Sequence, residues 1–248
     1  MTTTGSDLDV NGRDRLCLAL DLPDRAEILR LVDELKDLVG YFKLNSAFTL
    51  HGPDLVRDIL DRDVKIFMDL KLHDIPNTLA GYGDAVTRLG AHVVTLHTAG
   101  GLEMMRAAVT AAEKTAAELG VERPKLVGVT LLTSVDRETL NGDLNVAGPV
   151  EEEVRRRALL AAEAGLDGIV CAPSEIEPLR PDLPDDFFVV TPGTRSPGND
   201  CNDHKRIGTH AEALAGGASL LVVGRSVHGA PDPRRAALGI LREIEGVA

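Results

Sequence analysis

Tryptophan is absent from this chain, and tyrosine and phenylalanine number only two and five. Any core must therefore be aliphatic, and hydrophobic residues at 44 % supply enough material for a substantial one. Cations are the minority, 27 lysines and arginines against 39 aspartates and glutamates, so the formal net charge is −12. That sign argues against general nucleic-acid binding and against an anionic membrane surface. A phosphorylated metabolite stays open as a ligand, provided a few cations gather locally. Cysteine is scarce: Cys17, Cys171 and Cys201 show neither paired nor metal-like spacing, and the first two lie in apolar runs. This fits small core residues in a reducing compartment better than a disulfide framework. No apolar run reaches the roughly 20 residues that span a bilayer. The polar, acidic start Met1-Thr2-Thr3-Thr4-Gly5-Ser6-Asp7 lacks the basic-then-apolar order of a signal peptide. The expected location is the cytoplasm.

What the 248 residues do contain is a cadence. Residues 1–13 read as a flexible tail, and 14–248 as one domain. Apolar strand-like runs recur at Leu16–Leu20, Tyr41–Leu44, Val64–Leu70, His92–His97, Leu126–Leu132, Gly168–Cys171, Phe187–Thr191 and Leu220–Val223. Between them lie helical patterns, such as Ile28, Leu31, Val32, Leu35 and Leu38, closed by Gly40. About eight strand–helix units without a linker are the rhythm of a (β/α)8 TIM barrel, although periodicity alone leaves a doubly wound open sheet as an alternative. Strands buried on both faces suit a Val/Leu/Ala-rich composition.

In such barrels chemistry sits at the C-terminal ends of the strands. Asp21 ends the first, Lys43 lies late in the second, and Asp69 and Lys71 end the third. Thr133 and Ser134 follow the fifth, Pro192-Gly193-Thr194-Arg195 the seventh, and Gly224-Arg225-Ser226 the eighth. Loops after strands seven and eight are the usual phosphate grip, with Gly224 admitting an anion to the backbone and Arg195 and Arg225 as forked donors. The Gly/Pro/Asn-rich loop from Gly193 to Lys205 has the make-up of a lid. Residues two apart on a strand share a face, which puts Asp69 beside Lys71. A Schiff-base lysine needs a free amine, whereas neighbouring carboxylates favour the ammonium. Lys71 therefore reads as a fixed cation and proton donor, suited to a reaction that develops negative charge on carbon. The bland alternative is a salt-bridge network closing the end of a sheet.

The run Asp69-Leu70-Lys71-Leu72-His73-Asp74-Ile75-Pro76-Asn77-Thr78 resembles the signature of the orotidine 5′-phosphate decarboxylase family. The resemblance extends from about Leu16 to the last helix, through Ala19-Leu20-Asp21, Lys43, Leu132-Thr133-Ser134, Thr191–Arg195 and Val223-Gly224-Arg225. It implies decarboxylation of orotidine 5′-phosphate to UMP, with neither metal nor cofactor. Lys71 would protonate the C6 carbanion, and Lys43, Asp69, Lys71 and Asp74 would form an array of alternating charge. Asp21 and Lys43 would hold the ribose, Thr133 the base, and Pro192, Arg195, His204, Gly224 and Arg225 the phosphate region. The family unit is a homodimer, in which Asp74, Ile75 and Thr78 would enter the partner's site. Asn45, Thr194 and His204 stand where relatives usually have Gly, Ile and Gln. His73 and His97 are expected to be scaffold.

Two rivals remain. Mg²⁺-dependent sugar-phosphate decarboxylases and synthases share the Asp-x-Lys-x-x-Asp spacing, but an acid replaces their second-strand lysine, so Lys43 argues against them. A catalytically silent nucleotide-phosphate binder would have no need of the acid–lysine array.

Overall fold

Strand β1 (Leu16–Ala19) is wholly buried, and its residues alternate between two environments. Leu16 and Leu18 belong to the large layer between strands and helices, whereas Cys17 and Ala19 belong to a smaller cluster with Tyr41, Phe67, Val93, Val127, Val190, Leu220 and Val222. The second cluster is the barrel interior. Each strand contributes alternate residues to it, as the two-residue period of a strand requires. The computed structural model describes residues 12–195, 206 and 208–246.

The remaining barrel strands are β2 (Tyr41–Leu44), β3 (Lys65–Leu72), β4 (Val93–His97), β5 (Lys125–Val129), β6 (Gly168–Val170) and β7 (Phe188–Pro192). Two short strands, β8 (Thr194–Arg195) and β9 (Gly208–Thr209), pair with each other outside it, and β10 (Leu220–Val223) closes it. The order β1-β10-β7-β6-β5-β4-β3-β2 is closed and parallel throughout. Closure is what the sequence periodicity left open, and the doubly wound alternative is excluded.

The helices are α1 (Arg25–Leu35), α2 (Ser46–Leu60), α3 (Pro76–Arg88), α4 (Gly101–Leu119), α5 (Arg137–Asn141), α6 (Val150–Glu163), α7 (Pro173–Leu179), α8 (His210–Ala215), α9 (Arg225–His228) and α10 (Pro233–Glu245). Asp24, not Asp21, caps α1, accepting from the Ala26 and Glu27 amides at 2.7 and 3.2 Å. Asp21 is thereby left to the site. Helix α2 is two helical segments joined at a kink, where Gly52 is non-helical (φ 63°) and Pro53 opens the second segment. Just before β1, a 3₁₀ turn over Gly12–Arg15 is bonded to the residue that precedes β2, with the Gly40 amide donating to the Arg13 carbonyl at 2.9 Å. No helix among the described residues is long and apolar enough to cross a membrane.

Candidate active site

Above the apolar layer the barrel interior turns polar by strand register alone. Lys43 lies two residues beyond Tyr41 on β2, and Asp69 two beyond Phe67 on β3, so both point inward above that layer. Lys43 is paired in register with Ala19 on one side and Phe67 on the other. Both charged residues are buried, at 6 and 7 % exposure. A buried charge is tolerated only when paired, and here the pairing is dense. The Lys43 ammonium is 3.1 Å from Asp69 Oδ2 and 3.3 Å from Asp21 Oδ2. Lys71 Nζ donates to both Asp69 oxygens at 2.8 Å.

Asp69 is thus an anion held between two ammonium groups. Burial alone would raise its carboxyl, but Lys43 and Lys71 overcome this and hold it below the ordinary carboxylate range. Burial would likewise lower Lys43, and Asp69 and Asp21 instead keep it above the usual lysine value. The two shifts have one cause seen from either side.

Lys71 reaches this position by an unusual route. Its backbone is left-handed (φ 48°), and the β3–β4 register slips between Met68 and Leu72. A non-glycine residue there costs on the order of 1–3 kcal/mol unless its surroundings hold it. Thr95 on β4 does so. Its hydroxyl accepts from the Lys71 amide at 2.8 Å and donates to Asp69 Oδ1 at 3.0 Å. Strict alternation therefore holds through Asp69 and gives way at Lys71, and the two side chains still meet.

The array forms the wall of a cavity of about 630 Å³ at the C-terminal end of the barrel. Asp21, Lys43, Asp69, Lys71, Thr133, Pro192, Arg195, Gly224 and Arg225 all line it. Arg195 donates to the Thr194 carbonyl at 2.7 Å, and Gly193 beside it is left-handed (φ 79°), which favours glycine in that turn. Asn45, Ser134 and His228 line the cavity too. His228 has no recognisable sequence signal; its spacing from Arg225 makes sense only once α9 is seen as a single turn. Burial lowers the His228 imidazole below its ordinary value.

Asp74, Ile75 and Thr78 do not line this cavity. Asp74 is exposed, its carboxylate accepting from the Ile75 amide at 2.6 Å, and Ile75 is 65 % exposed. The array within one chain is therefore Lys43, Asp69 and Lys71 with Asp21, and Asp74 stands outside it. His204 lies outside the described residues, as does 196–205 of the proposed lid. His73 and His97 rings stand 5.7 Å apart and tilted, with burial, then His73 and Lys71, lowering His97.

A model of the orotidine 5′-phosphate decarboxylase / HUMPS family matches residues 14–240. The chain is 46 % identical over 239 residues to the orotidine 5′-phosphate decarboxylase of Moorella thermoacetica, covering 96 % of this chain and 95 % of that one. The crystal structure of orotidine 5′-phosphate decarboxylase from Lactobacillus acidophilus superimposes with a TM-score of 0.82 at 33 % identity, over 93 % of this chain and 99 % of that one. The corresponding Pyrococcus horikoshii OT3 structure gives 0.74 at 26 % identity, over 94 and 100 % of the two chains.

Proposed function

The chain belongs to the orotidine 5′-phosphate decarboxylase family and is a carboxy-lyase of pyrimidine biosynthesis; we propose that it converts orotidine 5′-phosphate to UMP with its own side chains alone. The observation that carries this reading is the buried carboxylate of Asp69 between the ammonium groups of Lys43 and Lys71, at the wall of a nucleotide-sized cavity.

The substrate's phosphate lies against Arg195, Gly224 and Arg225, beside Pro192, with His204 as a further donor. Forked guanidinium donors and an unobstructed glycine backbone suit that group. Asp21 and Lys43 hold the ribose and Thr133 the base, which brings C6 to Lys71. As the C6–CO2 bond breaks, its electron pair stays on C6 and CO2 leaves. The Lys71 ammonium, fixed before the reaction begins, stabilises that pair and then gives it a proton. A preorganised charge needs no reorganisation at the moment of reaction, unlike water. Rate enhancements at the upper end need barriers lowered by about 20 kcal/mol. Binding energy from the remote phosphate adds to what the array supplies. Asp69 facing the substrate carboxylate adds ground-state repulsion, a contribution removed by Asp69→Asn.

Lys43 also bears on the choice between family branches. Its ammonium occupies the space between Asp21 and Asp69 that a divalent cation would need. The reading is therefore of a metal- and cofactor-free enzyme. The working unit is a homodimer in which Asp74, Ile75 and Thr78 complete the partner's site, consistent with the exposure of Asp74 and Ile75 here. Residues 14–248 act as one barrel domain, in the cytoplasm.

The test is the decrease in orotidine monophosphate absorbance with chelator-treated protein. Turnover undiminished by the chelator is expected. No turnover, or turnover that returns only with an added divalent cation, overturns the reading.

A further inference from the structure

Arg206 lies outside the array and does not line the cavity, yet its side chain is only 15 % exposed. One guanidinium nitrogen, Nη1, is ion-paired with Glu175 Oε1, and the other, Nη2, donates to the Leu132 carbonyl at 2.9 Å. Glu175 is itself buried, and its second oxygen accepts from the Ala172 amide at 2.7 Å, capping α7. Three loops at the catalytic end therefore meet at one charged pair: those after β5, β6 and β7.

Two of them carry the expected ligand contacts. Leu132 directly precedes Thr133 and Ser134, and all three line the cavity. Arg206 is two residues before β9, whose Gly208 and Thr209 pair in register with Thr194 and Arg195. There is little room for slack. A Cβ on Gly208 would come within 2.7 Å of Pro173 Cβ, so β9 sits hard against the start of α7. We infer that Arg206 is a positioning residue: by gripping Glu175 and the Leu132 carbonyl together, it fixes the base-side loop bearing Thr133 relative to the phosphate-side ribbon bearing Arg195. This rests on the functional reading above, since it concerns the fit of a ligand that spans both loops.

The planar fork is what allows one residue to serve both partners, and lysine does not reproduce it. The experiment compares wild type with Arg206→Lys, Glu175→Gln and the double variant, using UMP and inorganic phosphate as separate probes. UMP spans both loops and phosphate touches only one. UMP affinity and kcat/KM should fall roughly ten- to a hundredfold in each single variant, the scale of a misplaced contact far from the chemistry. The phosphate inhibition constant should stay near that of wild type. The double variant should be no worse than the weaker single one, because both remove the same link. Glu175→Gln keeps an acceptor for the Ala172 amide and so guards against simple misfolding. A fall in melting temperature with UMP affinity and kcat/KM unchanged refutes positioning and leaves only a structural pair. Equal losses for UMP and phosphate also refute it. A wild type that neither decarboxylates the substrate nor binds UMP overturns the functional reading and this inference together.

Discussion

Asp69→Asn is the substitution with the most to say, because it replaces the one anion shared by two ammonium groups and keeps the shape. The Lys43 and Asp69 side chains are 8 and 11 % exposed, so Lys43 would be left buried with only Asp21, itself 44 % exposed, as an anionic neighbour. Removing one partner of a buried pair costs about 3–5 kcal/mol, and the remaining Asp21 contact argues for the lower end. For a domain of this size each kcal/mol shifts the melting temperature by about 2–4 °C, so about 3 kcal/mol predicts a fall of about 6–12 °C. Turnover should fall further, because asparagine keeps one oxygen for Lys71 but puts an NH2 group, which repels the ammonium, in place of the other of its two 2.8 Å acceptors. Misplacement of that kind costs about a hundredfold. The pH dependence follows by linkage. The folded Asp69 value is depressed, so its contribution is present above the unfolded aspartate value of about 3.9 and is lost as pH falls through the lower folded value. The stability gap between wild type and variant should therefore narrow in acid. Thermal melts across pH, at one protein concentration, and steady-state kinetics check both. An unchanged melting temperature with unchanged kcat would refute the account of the array.

Thr95→Val keeps volume but removes the hydroxyl that joins the Lys71 amide to Asp69; stability should fall by about 1.5–3 kcal/mol in denaturant titration, with kcat reduced as Lys71 loses its seat. Arg225→Ala should weaken UMP binding by roughly ten- to a hundredfold in calorimetry, the worth of one charged donor, with kcat affected less than KM. If Asp74 serves the partner's site, unfolding and refolding Lys71→Ala and Asp74→Asn chains together at equal amounts should restore about a quarter of wild-type activity. Half the dimers would be mixed, each with one complete site. Activity no higher than that of the separate variants would place Asp74 in its own chain's chemistry.

Much of this was legible in the chain before any coordinates. The second strand is found at Tyr41–Leu44, and the placement of Lys43, Asp69, Lys71, Arg195 and Arg225 at strand ends is realised in one cavity. Such features depend on local period and on the rule that barrel chemistry sits at strand C-termini. What could not be read depends on neighbours distant in sequence. Thr95 looks like any strand threonine until β4 is set beside β3, and the left-handed turn at Lys71 has no glycine to announce it. The single turn α9 that brings His228 to the cavity is shorter than any periodicity can reveal. Asp74 is a surface residue in this chain, and the role proposed for it needs a second copy.

The most direct test of the central claim is Lys71→Ala, measured for turnover and for UMP affinity in the same preparation. Asp69 retains Lys43 and the Thr95 hydroxyl in that variant, so the barrel should stay folded. The account predicts kcat lower by about a thousandfold or more, with UMP affinity nearly unchanged. Turnover and affinity falling by the same factor, or turnover that survives, would contradict it.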